Sequence, residues 1–249
     1  MKNLSAELPK PPWLKVAVPS GRNFSNLKAL MQTQGLHTVC EEALCPNIAE
    51  CWGRGTAAFM ILGAVCTRYC RFCAVLKGEP QKVDWGEPER LAQAVTVLKL
   101  RHVVITSVSR DDLPDGGASL FEKTIRTIRT RNPNCSIEAL IPDFKGDAGA
   151  LSKVMEAAPQ ILNHNMETVS RLFASVRPRA AYKRSLQVLK MAKEMNPETL
   201  TKSGFMVGLG ETFHELEEMF HELRQVGCDI LTIGQYLRPS KKHLPVARY

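Results

Sequence analysis

The sequence of 249 residues contains no long apolar run. Its longest, starting at Ala57–Leu62, is far short of the roughly 20 residues that cross a bilayer. Met1 to Pro12 is polar and proline-rich, with Lys2, Glu7 and Lys10, and has no apolar core of a secretory signal. A cytoplasmic protein is therefore expected, and in that reducing setting clustered cysteines mean metal or redox chemistry more often than disulfides. Blocks of basic residues are also missing. The net charge of +8 is spread along the chain, which indicates a solvated basic surface rather than a nucleic-acid-binding tract. Repeats, low-complexity tracts and internal linkers are absent, so one compact unit is expected. Gly208-Leu209-Gly210 is not a dinucleotide fingerprint, and His37, His214, His221 and His243 have no metal-ligand spacing with one another.

What the chain does have is cysteine in one place. Six of its eight cysteines lie between Cys40 and Cys73, as Cys40, Cys45, Cys51 and then Cys66, Cys70, Cys73. Thiolates this close are soft ligands for zinc or iron–sulfur clusters. Structural zinc prefers paired cysteines that complete four ligands. Two groups of three favour iron–sulfur binding, which leaves one iron open to a substrate or cofactor. Cys135 and Cys228 are expected to be small buried residues.

An irregular arm opens the chain, with Pro9, Pro11, Pro12 and Pro19 keeping it from regular structure and Trp13 and Leu14 expected to pin it. Ser25 to Gln34 predicts a short helix with Leu27, Leu30 and Met31 on one face, stopped by Gly35. The first triplet, broken by Pro46 and Gly53, reads mostly as loop. Strands are expected at 58–63, 102–108, 135–141, 160–163, 202–209 and 229–234. Helices are expected at 88–100, 117–130, 147–157, 166–174, 181–195 and 211–226. This alternation predicts a parallel sheet wound by right-handed βαβ units. About six units fit an open or partial barrel, with a doubly wound sheet second. Ligands in such folds bind at the C-terminal strand ends, where Cys66–Cys73, Thr106–Gly117, Pro142–Asp147, Asn163–Asn165, Gly208–Thr212 and Gln235–Pro239 fall. By pattern alone, Asp111, Asp112 and Asp115 also suit turns and caps, and His164 suits a hydrogen-bonded strand end.

The segment C-T-R-Y-C-R-F-C after the first strand resembles the signature of the radical S-adenosylmethionine (SAM) superfamily. C-E-E-A-L-C-P-N-I-A-E-C-W upstream is more specific and resembles the lipoyl synthases. The likeness continues through S-R-D-D-L-P-D-G-G-A, A-L-I-P-D-F, N-H-N-M-E-T-V, V-G-L-G-E-T and L-T-I-G-Q-Y-L, from Trp13 onward. It implies an α/β fold, a partial (β/α)6-type barrel over residues 55–249, with an N-terminal cysteine-bearing extension over residues 1–54.

The resemblance also implies roles. Cys66, Cys70 and Cys73 would hold a [4Fe-4S] cluster whose open iron binds SAM, the source of a 5′-deoxyadenosyl radical. Cys40, Cys45 and Cys51 would hold a second, auxiliary [4Fe-4S] cluster that gives up sulfur to C6 and C8 of a protein-bound octanoyl group. Phe72, Thr106, Ser107, Asn163 and Asn165 are candidate SAM contacts, and Arg110, Asp111 and Asp112 candidates for the substrate mouth. The implied partners are octanoylated lipoyl domains and the glycine cleavage H protein, a low-potential electron donor and an iron–sulfur cluster carrier, with neither nucleic acid nor a membrane span. Ala49 and Ala64 replace a usual glycine and acidic residue. The family's terminal R-S-S-Y motif, whose serine ligates the auxiliary cluster, is not found, which implies a truncated form with impaired sulfur insertion. A biotin synthase-like or methylthiotransferase-like enzyme would share the second triplet alone, and a zinc-bearing binding module would use the cysteines and the charge.

Overall fold

A computed structural model describes residues 9–14, 25, 28, 29, 31, 33–42, 45, 47–53 and 56–249. Its main sheet has seven strands in the order β1 (His37–Thr38), β2 (Thr56–Ile61), β5 (His102–Ser107), β6 (Ser136–Leu140), β7 (Ile161–Asn163), β8 (Leu200–Val207) and β9 (Ile230–Gln235). From β2 to β9 every neighbouring pair is parallel, and β1 is an antiparallel edge on β2. The strands follow chain order and the first does not pair with the last, so the sheet is open. Two short strands, β3 (Val65–Cys66) and β4 (Leu76–Lys77), pair separately around the second cysteine triplet.

The connections are α3 (Glu87–Val97), α4 (Ala118–Arg131), α5 (Ala148–Glu156), α6 (Ser170–Val176), α7 (Tyr182–Met195) and α8 (Phe213–Gln225), preceded by the short α1 (Val39–Glu42) and α2 (Ile48–Gly53). Local chemistry sets their starts. Pro88 lies in the first turn of α3, where its missing N–H costs nothing. The Asp147 carboxylate caps α5, and Thr212 with Glu215 forms a capping box on α8. Along the strands, Val103, Ile105, Ile137, Ala139 and Leu162 are fully buried and belong to the main core with α3, α4 and α5. Their alternation partners, among them Glu138 and Asn163, therefore share the opposite, inner face. A second core gathers Phe173, Leu189, Phe205, Met219 and Leu223.

Several expectations need correcting. The first triplet is not mostly loop, since Cys40 lies on α1 and Cys51 on α2. Trp13, expected to pin the arm, is 64% exposed. Leu27 and Leu30 of the expected N-terminal helix lie outside the described residues, as does Pro19, whereas Met31 is helical and buried. The helix expected from Met166 begins at Ser170. Glu167 instead adopts a φ of 68° and bridges to β8, donating its N–H to Gly204 O and accepting from Met206 N. The strand pairing outweighs the helical pattern there. Among the described residues, no helix is long and apolar enough to cross a membrane.

Candidate active site

The second cysteine triplet lies just past the C-terminal end of β2, on β3 and the loop that follows it. Its backbone is tied down from several sides. Thr67 donates N–H and hydroxyl hydrogen bonds to Ser109 O, and its hydroxyl accepts from Asp111 N. Arg71 N donates to Val176 O at 2.9 Å, and Arg71 O accepts from Leu244 N at 3.2 Å. His243 Nε2 approaches Cys73 O at 3.1 Å, and Lys77 Nζ donates to Cys70 O at 3.1 Å.

The strongest tie is a buried ion pair inside the motif. Arg68, 3% exposed, donates Nε and Nη2 to the two Asp111 oxygens at 2.7 and 2.8 Å. The same Nη2 lies 2.6 Å from Asp143 Oδ1, and Arg184 Nε is 3.0 Å from Asp143 Oδ2. Burial alone would raise the fully enclosed Asp143 carboxyl, but Arg68 and the Lys145 N–H hold it below the ordinary range. The chain past β6 is bent to reach this point, with φ of 42° at Phe144 and 55° at Lys145, conformations that cost about 1–3 kcal/mol each. A planar fork matched to two carboxylates is a rigid connection. It locks the cysteine loop to the ends of β5 and β6.

The thiols sense one another. Burial pushes Cys73 up to about 11, and Cys70 and Cys66 both add to that rise. Cys70 is raised by burial and opposed by Arg177. Cys66 Sγ accepts N–H bonds from Arg68 at 3.4 Å and Ser109 at 3.3 Å, the kind of contact that tunes sulfur ligands of iron. In the first triplet, burial raises Cys40 and both Cys45 and Cys51 act on it. Among the described residues no three His, Cys, Asp or Glu side chains converge as ligands of a single ion would. Three cysteines carried on the short segment from Cys66 to Cys73 are soft thiolate donors of the kind that iron–sulfur clusters use. Bound iron would also deprotonate thiols that burial keeps neutral.

The other candidates divide. Thr106 and Asn163 are buried at strand ends on the inner face, and Ser107 Oγ and Asn163 Oδ1 are buried with no hydrogen-bond partner among the described residues. Asn165 is partly buried, its backbone O accepting from Arg177 Nη1 at 2.8 Å. A methyl group at Gly204 would fall 2.9 Å from Asn165 Oδ1 and 2.8 Å from Thr232 Oγ1, so glycine keeps this cradle open. Phe72 is half-buried within the cysteine loop. Arg110 closes on Asp112, with Nη2 to Oδ2 at 2.8 Å, while Asp111 serves Arg68. Asp115 is a cap, accepting from Gly117 N and Ser119 N on α4. The Gly208 and Leu209 N–H groups donate to the Glu211 carboxylate, so this glycine turn is filled by the chain's own anion. His164 is wholly buried between Ile141 O and Ser185 Oγ. Cys135 and Cys228 are buried as expected.

Arg68, Asp143, Glu138 and Lys202 went unremarked in the sequence. Arg68 and Asp143 stand inside quoted motifs, C-T-R-Y-C and A-L-I-P-D-F. Glu138 offered one signal, a charged residue in a strand otherwise read as buried.

Comparison with known proteins agrees with this geometry. Residues 60–223 match the radical SAM superfamily, and residues 2–45 match the N-terminal domain of lipoyl synthase of that family. The lipoyl synthase of Rubrobacter xylanophilus is 60% identical over 240 residues, covering 96% of this chain and 75% of the relative. That of Staphylococcus carnosus is 56% identical, covering 97% and 78%. Among solved structures, methylornithine synthase aligns with a TM-score of 0.61 at 13% identity, covering 90% of this chain and 67% of that one. Streptococcus suis SuiB bound to S-adenosylmethionine aligns at 0.61 and 10% identity, covering 82% and 47%. These likenesses concern the fold, and the sequence relatives narrow it: the chain belongs to the lipoyl synthase family of radical SAM enzymes.

Proposed function

We propose that this chain is a lipoyl synthase that inserts sulfur at C6 and C8 of an octanoyl group carried on an acceptor protein. The observation that carries the reading is the pair of closely spaced cysteine triplets in a chain 60% identical to a lipoyl synthase over nearly its whole length. Cys66, Cys70 and Cys73 would hold the cluster that binds SAM, and Cys40, Cys45 and Cys51 the auxiliary cluster. When bound, SAM and the two [4Fe-4S] clusters supply the hydrogen-abstracting radical and the sulfur atoms.

The chain's own residues position and enclose. Arg68, Asp111 and Asp143 fix the loop between Cys66 and Cys70 against two strand ends. Thr106, Ser107, Asn163 and Asn165 offer polar atoms to SAM, and Phe72 a ring for its adenine. Val104, Leu140 and Met206, half-buried on the inner face, offer an apolar wall suited to an acyl chain. Arg110 and Asp112 brace the mouth. Residues 1–54 act as the cysteine-bearing extension and 55–249 as the barrel, the two joined where β1 adds an antiparallel edge strand to β2. The net charge of +8 suits an acidic acceptor, for which lipoyl domains and the glycine cleavage H protein are the proposed class. An electron donor and a cluster carrier complete the set of partners.

The test is anaerobic reconstitution with SAM and an octanoylated peptide, reading 5′-deoxyadenosine and lipoyl product separately. Replacing Cys40, Cys45 and Cys51 together by Ala should leave 5′-deoxyadenosine formation and abolish lipoyl product. The same change at Cys66, Cys70 and Cys73 should abolish both. Lipoyl product from either variant, or about two zincs in place of iron and sulfide, refutes the reading.

A further inference from the structure

The inner face of the sheet carries a polar cluster to which neither triplet contributes. Glu138, 3% exposed, stands mid-strand on β6. Its Oε1 accepts from Asn163 Nδ2 on β7 at 2.7 Å, and both its oxygens accept from Lys202 Nζ on β8 at 3.0 Å. His102 Nε2 on β5 is 3.6 Å from Oε2. Four neighbouring strands thus meet at one carboxylate. Burial would raise Glu138, yet His102, Asn163 and Lys202 hold it below the ordinary range. An ionised carboxylate is an acceptor only.

That fact settles which way the Asn163 amide turns. Nδ2 must face Glu138, so Oδ1 must face away. Oδ1 is buried and has no hydrogen-bond partner among the described residues, in a side chain that is 95% enclosed (5% exposed). A buried acceptor left unsatisfied is destabilising. The fold nevertheless holds it so, at the C-terminal end of β7, next to the cradle that Gly204 keeps open. An acceptor oriented by an acceptor-only neighbour and left unfilled points to a donor brought by a ligand.

We infer that Glu138, braced by Lys202, is a positioning residue for SAM binding: it fixes the Asn163 carboxamide so that Oδ1 accepts a hydrogen bond from a hydroxyl or amino group of bound SAM. The inference rests on the proposed SAM contact at Asn163. Glu138 acts through Asn163 and does not itself touch SAM.

The experiment measures equilibrium SAM binding to the reconstituted protein by anaerobic dialysis with labelled SAM and no reductant, so turnover plays no part. Iron content and thermal melting accompany each variant. Asn163→Ala is expected to weaken binding by about tenfold, the worth of one net hydrogen bond. Glu138→Leu should weaken it by a similar factor in the parent, but by less than about twofold in the Asn163→Ala background. Glu138→Gln keeps an acceptor oxygen toward Asn163 and should bind within about twofold of the parent. If Glu138→Leu alone does not fold, Glu138→Leu with Lys202→Met removes both charges and takes its place.

The outcomes separate the two readings. If Asn163→Ala leaves affinity unchanged, the SAM contact at Asn163 is wrong and the inference falls with it. If Asn163→Ala weakens binding while Glu138→Leu does not, or does so equally in both backgrounds, the positioning role is refuted. A loss in Glu138→Gln as large as in Glu138→Leu also overturns it, because charge rather than orientation would then be at work.

Discussion

Replacing Arg68 by Met tests how the cysteine loop is held. The guanidinium is 97% enclosed (3% exposed) and pairs with two carboxylates, Asp143 fully buried and Asp111 with 23% of its side chain exposed. Methionine keeps the aliphatic volume but leaves Asp143 with Arg184 and the Lys145 N–H alone. Removing one partner from a buried ion pair costs about 3–5 kcal/mol, because the remaining charge is left under-compensated. For a domain of this size 1 kcal/mol shifts Tm by about 2–4 °C. Arg68→Met should therefore melt roughly 6–20 °C below the parent by far-UV circular dichroism of the reconstituted protein. Arg68→Lys keeps charge but not the planar fork and should fall between the two. Asp111→Asn should cost less than Asp143→Asn, since water reaches Asp111. A shift below about 2 °C for Arg68→Met would show that the pair does not anchor the loop.

Three further outcomes follow from the same fold. Gly208 has a φ of 99°, and a side chain there would meet the Gln235 amide and Arg248 O at 2.6 Å; Gly208→Ala should destabilise by about 1–3 kcal/mol, read as a urea-midpoint shift, and an unchanged midpoint contradicts it. Burial holds His164 at about 4 against 6.5 for the free group, with Arg177 adding to the fall. The unfolded chain thus takes up a proton between pH 6.5 and 4 that the folded chain refuses. Stability from this group is full above about pH 6.5 and declines by about 3 kcal/mol as pH falls to 4; His164→Gln should flatten the urea midpoint across that window, and an unaltered slope rules the account out. Finally, iron analysis after changing either cysteine triplet to Ala should drop from about eight to about four irons per chain, whereas loss of all iron from both variants would mean a single shared site.

The family was legible in the sequence because the cysteines that carry the resemblance are spaced locally. Cys66, Cys70 and Cys73 lie on β3 and the loop after it, and Cys40 and Cys51 on the neighbouring short helices α1 and α2, so spacing alone pointed to two groups of three. The strand and helix alternation was likewise local, and the parallel order of β2 to β9 follows from it. Boundaries moved where tertiary pairing overrode pattern. Met166 to Val169 has helical composition, yet Glu167 pairs with Phe205 on β8.

Side-chain partnerships were decided only by the folded sheet. Arg68 finds Asp111 43 residues away, and Glu138 finds Asn163 at 25 residues and Lys202 at 64. In a parallel sheet, residues on one face become neighbours through strand register, and register is a property of the packed whole. A sequence can state that a carboxylate stands in a buried strand. Which cation neutralises it, and which amide it orients, depends on strands that meet only after the helices have folded back across the sheet.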